Sequence, residues 1–172
     1  MNADPSALCF ETCTFGKPFV RTSRGISAAP FFSVSHSADL ALITVTLDQP
    51  IGVDVERTAP IADLDLLIES CCAADERLAM PSNSSDKLSA FYRCWTRKEA
   101  MLKAAGLGLR VPLSSISVDC LDRILPRVRS VGPDLAPADQ WSLVHLDPAP
   151  GFIGAIAATW PIRTIHRRVL EP

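Results

Sequence analysis

The chain has 172 residues, 48% hydrophobic and 21% charged, a balance that excludes a disordered chain and fits one globular domain over residues 1–172. Seventeen basic residues against 19 acidic ones leave a net charge of −2, which argues against a general nucleic-acid binder. The uncharged stretch 148–162 is too short, and too broken by proline and glycine, to span a membrane, and no signal peptide is visible at the start; a cytoplasmic protein is expected.

In chain order, residues 8–15 are a weak candidate strand. Residues 31–35 form an apolar run, and 41–47 form a second run rich in β-branched residues; both predict strands. Asp48-Gln49-Pro50 reads as a turn and 51–56 as a third strand. Residues 63–71 and 74–80 predict short helices. No proline falls between Pro81 and Pro112, so a long helix fits there. Ser84, Ser85 and Asp86 offer its N-cap, Gly106 its C-terminal stop, and Leu88, Phe91, Trp95 and Leu102 recur at helical spacing. Residues 115–120, 141–146 and 152–160 predict three more strands, with a loop at 133–139. Strands, a helical block, then strands again predict an α+β domain. The six cysteines form no C-x-x-C and lie apart from the three histidines. They read as free thiols acting as small apolar residues, not as a zinc site.

Within the third strand, Val53 and Val55 face one way, and Asp54 and Glu56 the other. Two carboxylates spaced roughly 6.6 Å apart form either a solvated strand face or half of a divalent-cation site. The apolar stripe of the long helix runs through position 99, which is glutamate, and a carboxylate there is costly unless paired or metal-bound. Lys103, four residues on, could make an ordinary helix pair with it, while Lys98 would face solvent. Residues 39–76 carry nine acids and one base, whereas residues 86–110 carry six bases and two acids. Carboxylates that can hold a metal beside lysines are the general layout of phosphoryl chemistry.

Three blocks occur in order: Phe32-Ser33-Val34-Ser35-His36-Ser37, Ile51-Gly52-Val53-Asp54-Val55-Glu56, and Trp95-Thr96-Arg97-Lys98-Glu99-Ala100-Met101-Leu102-Lys103-Ala104-Ala105-Gly106. With Gly16-Lys17-Pro18 upstream, the sequence resembles the 4′-phosphopantetheinyl transferase superfamily in its larger, surfactin-synthetase-activator-like type. The resemblance runs over residues 7–160 and implies a pseudo-twofold pair of lobes, each with antiparallel strands packed on a helix. The first lobe, 1–49, would be abbreviated and the second would span 50–165. The implied reaction moves 4′-phosphopantetheine from coenzyme A to a serine of an acyl or peptidyl carrier protein and releases adenosine 3′,5′-bisphosphate.

By the same resemblance, Asp54, Glu56 and Glu99 would hold Mg²⁺, and Glu99 would also accept the proton of the carrier serine or orient a water for it. Lys103 would neutralise charge on the pyrophosphate. Lys17, Ser35, His36 and Lys98 would contact coenzyme A, with Lys17 and His36 on its 3′-phosphate. Glu76 stands where the family often has a glutamate. An acidic carrier helix would dock near residues 106–130, against Arg110, Arg123, Arg127 and Arg129, with Leu107, Leu109, Val111 and Leu113 adding apolar contacts. In an abbreviated first lobe, strands 31–35 and 41–47 would expose an apolar face. Self-association or weak coenzyme binding is expected, with Arg21 and Arg24 as substitute basic contacts. The alternatives are a catalytically weak or inactive relative that binds coenzyme A or carrier protein, and an unrelated Mg²⁺-dependent phosphohydrolase.

Overall fold

The computed structural model describes residues 8–21, 30–47, 49–122 and 124–170. Its centre is a sheet of three antiparallel strands in the order β5 (Ile51–Arg57), β9 (Phe152–Ala158), β8 (Ser142–Leu146). The register sets Asp54 opposite Ala155, and Gly52 opposite Ala157. Gly52, Ala155 and Ala157 keep this face low, and the long helix α3 (Ser84–Ala105) lies on it. Gly52 marks the closest approach. A Cβ there would sit 2.0 Å from the Ala100 carbonyl oxygen and 2.5 Å from the Ala104 nitrogen, so any side chain at 52 displaces α3. The opposite face buries Ile51, Val53 and Ile156 against Leu42, Val144, Leu146, Trp160 and Ile162. The alternation expected for β5 is thus observed.

Helix α3 starts at Asn83, one residue before the expected capping cluster; its side chain accepts from the Ser85 and Asp86 amides. It stops at Gly106, whose φ of 71° places it in the left-handed region that glycine enters freely. The sequence stripe is too narrow a description of this helix. Its far side is covered by α1 (Leu64–Cys71), α2 (Ala74–Ala79) and the short pair β6 (Ser117–Val118) and β7 (Val128–Ser130), through Ile68, Cys72, Leu113, Ile116 and Val118. Even Thr96, Arg97 and Lys98 are buried. Among the described residues no helix is long and apolar enough to cross a membrane.

Two hairpins precede the central sheet. The strands β1 (Cys9–Thr12) and β2 (Pro18–Arg21) pair with each other, as do β3 (Phe31–Ser37) and β4 (Leu40–Thr46). Neither β2 nor β7 had a clear apolar run in sequence. The β3–β4 hairpin is inverted relative to an ordinary half-buried one. Its inner face presents Ser33, Ser35 and Ser37 to β5. Its outer face leaves Val34, Ile43, Val45 and Leu47 exposed, between 41% and 73%, with Phe10 edge-on to Phe32 beside them. The apolar face expected to be uncovered is uncovered.

Candidate active site

The site lies where α3 crosses β5 and β3 runs alongside. Asp54 is on the α3-facing side of β5 and is 4% exposed. Its Oδ1 accepts from Lys103 Nζ at 2.7 Å and from the Ser35 hydroxyl at 2.9 Å. Its Oδ2 is buried with no hydrogen-bond partner. Glu99, one helical turn before Lys103, also has a buried oxygen, Oε1, with no partner. Glu56 is half-buried and accepts from the Ser37 hydroxyl at 2.7 Å. The expected Glu99–Lys103 helix pair therefore gives way to Lys103–Asp54, with Lys103 also donating to Ser35 at 2.9 Å.

Two buried carboxylate oxygens without partners are costly as they stand, since each is desolvated without a compensating donor. Burial raises the Asp54 carboxyl above its ordinary value; Lys103 and Ser35 oppose the rise and Glu56 adds to it. Burial also raises Glu99, reinforced by the negative charge of Asp54. Asp54, Glu56 and Glu99 form an all-oxygen donor set of the kind hard divalent cations take. Their oxygens are not all within 4.8 Å of one another; among the described residues that spacing is met only by Cys72, Glu76 and Cys94. Lys103 stands on Asp54 as the local positive charge.

These shifts predict a pH dependence. Asp54 and Glu99 hold protons more tightly in the folded than in the unfolded chain. Their contribution to stability is therefore full below the ordinary values of 3.8 and 4.5, and is lost as pH rises through the raised ones. In chelator, the melting temperature should fall across that window, and less steeply in Glu99→Gln. An equally steep fall in the variant would refute the assignment.

Comparison with known proteins decides the family. The model of the 4′-phosphopantetheinyl transferase superfamily matches residues 50–157. The chain belongs to that superfamily. The 4′-phosphopantetheinyl transferase HetI of Nostoc sp. is 32% identical over 158 residues, covering 91% of this chain and 63% of its own length. The 4′-phosphopantetheinyl transferase Sfp of Bacillus subtilis is 30% identical over 115 residues, covering 67% of this chain and 49% of its own. The chain thus spans about half to two thirds of the length of these relatives. A crystal structure of Thermotoga maritima holo-[acyl-carrier-protein] synthase superposes with a TM-score of 0.50 at 15% identity, covering 63% of this chain and 61% of that one; this supports the fold.

Within this phosphopantetheinyl transferase fold, the structure brings Asp54, Glu56, Glu99, Lys103 and Ser35 together and separates the other expected site residues from them. Lys98 is a correction. It points to the far side of α3, is 1% exposed, and donates to Glu76 at 2.5 Å and to the Cys71 and Leu113 carbonyls at 2.9 Å each. All three of its donors are engaged on the far side of α3, not at Asp54 and Glu99. Glu76, its partner, also accepts from the Ala73 and Val118 amides at 2.6 and 2.7 Å, so this glutamate ties α2 and β6 to α3.

Lys17 is a second departure. Its ammonium sits on the Ala104 carbonyl at 3.0 Å and the Ile51 carbonyl at 3.3 Å, closing the negative end of α3. Burial lowers its pKa. His36 lies on the exposed outer face of β3, level with Val55 through its neighbour Ser35. That is four residues along β5 from Ile51, roughly 13 Å, so Lys17 and His36 do not meet in this arrangement.

The expected carrier surface also changes. Val111 and Leu113 are core residues. Arg129 is bound to Asp119 by two donors, and Arg110 lies over the Phe15 ring at 4.9 Å. Among the described residues of this region, the exposed apolar side chains are Leu121, Ile124 and Leu125, which the sequence reading missed; the Leu109 side chain is not among those described. Arg21 is paired with Glu11, while Arg24 and Arg123 lie outside the described residues. Cys72, Cys94 and Cys120 are buried as expected, but Cys9 is exposed.

Proposed function

We propose that this chain transfers 4′-phosphopantetheine from coenzyme A to a serine of an acyl or peptidyl carrier protein, as a Mg²⁺-dependent phosphopantetheinyl transferase of the cytoplasm. The observation carrying this reading is the pair of buried, unpartnered carboxylate oxygens, Asp54 Oδ2 and Glu99 Oε1, in the neighbourhood of Lys103. Asp54, Glu56 and Glu99 would hold the cation, which supplies charge neutralisation for the pyrophosphate of coenzyme A. Glu99 takes the proton of the carrier serine hydroxyl as its oxygen attacks the β-phosphorus. The bond from that phosphorus to the bridging oxygen breaks, and adenosine 3′,5′-bisphosphate leaves with the electron pair. Lys103 remains beside the leaving group as a second positive charge.

His36, exposed on β3, contacts the coenzyme phosphate; Lys17 joins it only after releasing the Ile51 and Ala104 carbonyls. The carrier's acidic helix meets Arg127 and the apolar group Leu121, Ile124 and Leu125. The test is the intact mass of an apo carrier after incubation with this protein, coenzyme A and Mg²⁺. A gain of one phosphopantetheine, lost with chelator, supports the transferase. No gain across several carriers, with coenzyme A binding retained, favours a binding module instead.

The outer face of β3–β4 serves as a self-association surface. Val34, Ile43, Val45 and Leu47 form a contiguous exposed apolar row, and such rows on soluble proteins mark contact sites. Sedimentation velocity should show assemblies that Ile43→Glu with Val45→Glu returns to monomers. A wild-type protein that sediments as a monomer at every concentration would rule this out.

A further inference from the structure

The inner face of β3 carries serine at every second position, and the bonds these serines make form a repeating unit. The Ser35 hydroxyl accepts from the Val55 amide at 3.3 Å and donates to Asp54 at 2.9 Å. The Ser37 hydroxyl accepts from the Arg57 amide at 3.1 Å and donates to Glu56 at 2.7 Å. Ser33 accepts from the Val53 amide at 3.1 Å. The β5 residue at its level is Gly52, which has no carboxylate. Each serine thus takes the N–H of one residue and, where a carboxylate precedes that residue, gives its single proton to it.

We propose that Ser37 is a positioning residue that fixes the Glu56 carboxylate for the divalent cation, with Ser35 performing the same task for Asp54. The inference rests on the cation reading of Asp54, Glu56 and Glu99 given above. A hydroxyl has one proton and two acceptor lone pairs. With the strand's own amide on one lone pair, the proton of Ser37 is directed at Glu56 Oε2, which leaves Oε1 for a ligand. On Asp54 the same arrangement occupies Oδ1 and leaves Oδ2, the oxygen that is buried without a partner. The donor is neutral. At Glu56 the serine orients the carboxylate and leaves its charge intact; at Asp54 the Lys103 ammonium shares Oδ1 with Ser35 and offsets part of the charge, so Ser37 is the cleaner case. The amide anchor matters as well, because it ties the hydroxyl to the same strand that carries the carboxylate and the two cannot drift apart. This also assigns Ser35 to Asp54 rather than to the coenzyme, its proton being already used.

The test is a Mn²⁺ titration of the whole chain, followed by the electron paramagnetic resonance of free Mn²⁺ and requiring no turnover. Hydroxyls that orient metal-binding carboxylates change affinity by about 10–100-fold when removed. Ser37→Ala should weaken Mn²⁺ binding by that factor. Ser37→Thr, which keeps the hydroxyl, should bind like wild type. Ser33→Ala removes the same strand-to-strand bond without touching a carboxylate and should bind Mn²⁺ normally. Melting curves for all three show whether a loss comes from unfolding, and Ser37→Thr carries the test if Ser37→Ala does not fold: a threonine variant that folds but loses Mn²⁺ overturns the proposal. Equal losses in Ser33→Ala and Ser37→Ala would overturn it in favour of simple strand lacing. Unchanged binding in Ser37→Ala would overturn it outright. A wild-type protein that binds no Mn²⁺ overturns the cation reading itself and the proposal with it, a result distinct from the other three.

Discussion

Glu99→Gln should lower phosphopantetheine transfer to an apo carrier by about 10²–10⁴-fold, the usual worth of a positioned general base. The substitution keeps the shape of the side chain and removes only its charge and basicity. Glu99 is half-buried near Asp54, and its carboxyl is raised by desolvation and by that neighbour's charge. The neutral amide relieves that repulsion, so the metal-free variant should melt at or above the wild-type temperature. Lost transfer together with retained or improved stability is a signature that a merely structural glutamate would not give. The rate is read from the mass of the carrier over time and the stability from thermal melting. A Glu99→Gln protein that transfers at the wild-type rate would remove Glu99 from the chemistry.

The second large effect is on stability. Glu76→Ala should destabilise the fold by about 3–5 kcal/mol, the range for breaking a buried ion pair from one side. Glu76 and Lys98 are 1% exposed each, their charged atoms are 2.5 Å apart, and no water reaches them. Removing the carboxylate strands the Lys98 ammonium in the core and also orphans the Ala73 and Val118 amides. With typical domain stabilities of about 5–15 kcal/mol, that is a large share. Urea denaturation measures it. The double variant Glu76→Leu with Lys98→Met should recover much of the loss, because the stranded charge is gone. A double variant no more stable than Glu76→Ala would show that the amides, not the ion pair, dominate. Neither residue is hydrogen-bonded to Asp54, Glu56 or Glu99, so the cost is one of folding.

The sequence by itself determined the elements whose signals are local. The proline-free interval and Gly106 bounded α3. The alternation of Val53, Asp54, Val55 and Glu56 oriented β5. The order of the three blocks pointed to the superfamily that the comparison then showed. Glu99 on an apolar stripe was already visible as an acid needing a reason. Tertiary structure alone decided where the donors went. Lys98 and Lys103 look alike in sequence, both basic and flanking one glutamate by one and four residues. Only the packing of α1, α2 and β6 on the far side of α3 buries Lys98 against Glu76, while the close approach at Gly52 brings Lys103 onto Asp54. Lys17 reads as a free cation until the C-terminus of α3 arrives beside it. The alternation of Ser33, Ser35 and Ser37 has the period of a strand, although the sequence reading takes 31–35 as an apolar run and does not extend it to Ser37. Its meaning depended on which strand it would face, and that partner lies 20 residues away. A side chain's periodicity is set by its own backbone, but its hydrogen-bond partner is set by a long-range contact that no local pattern encodes.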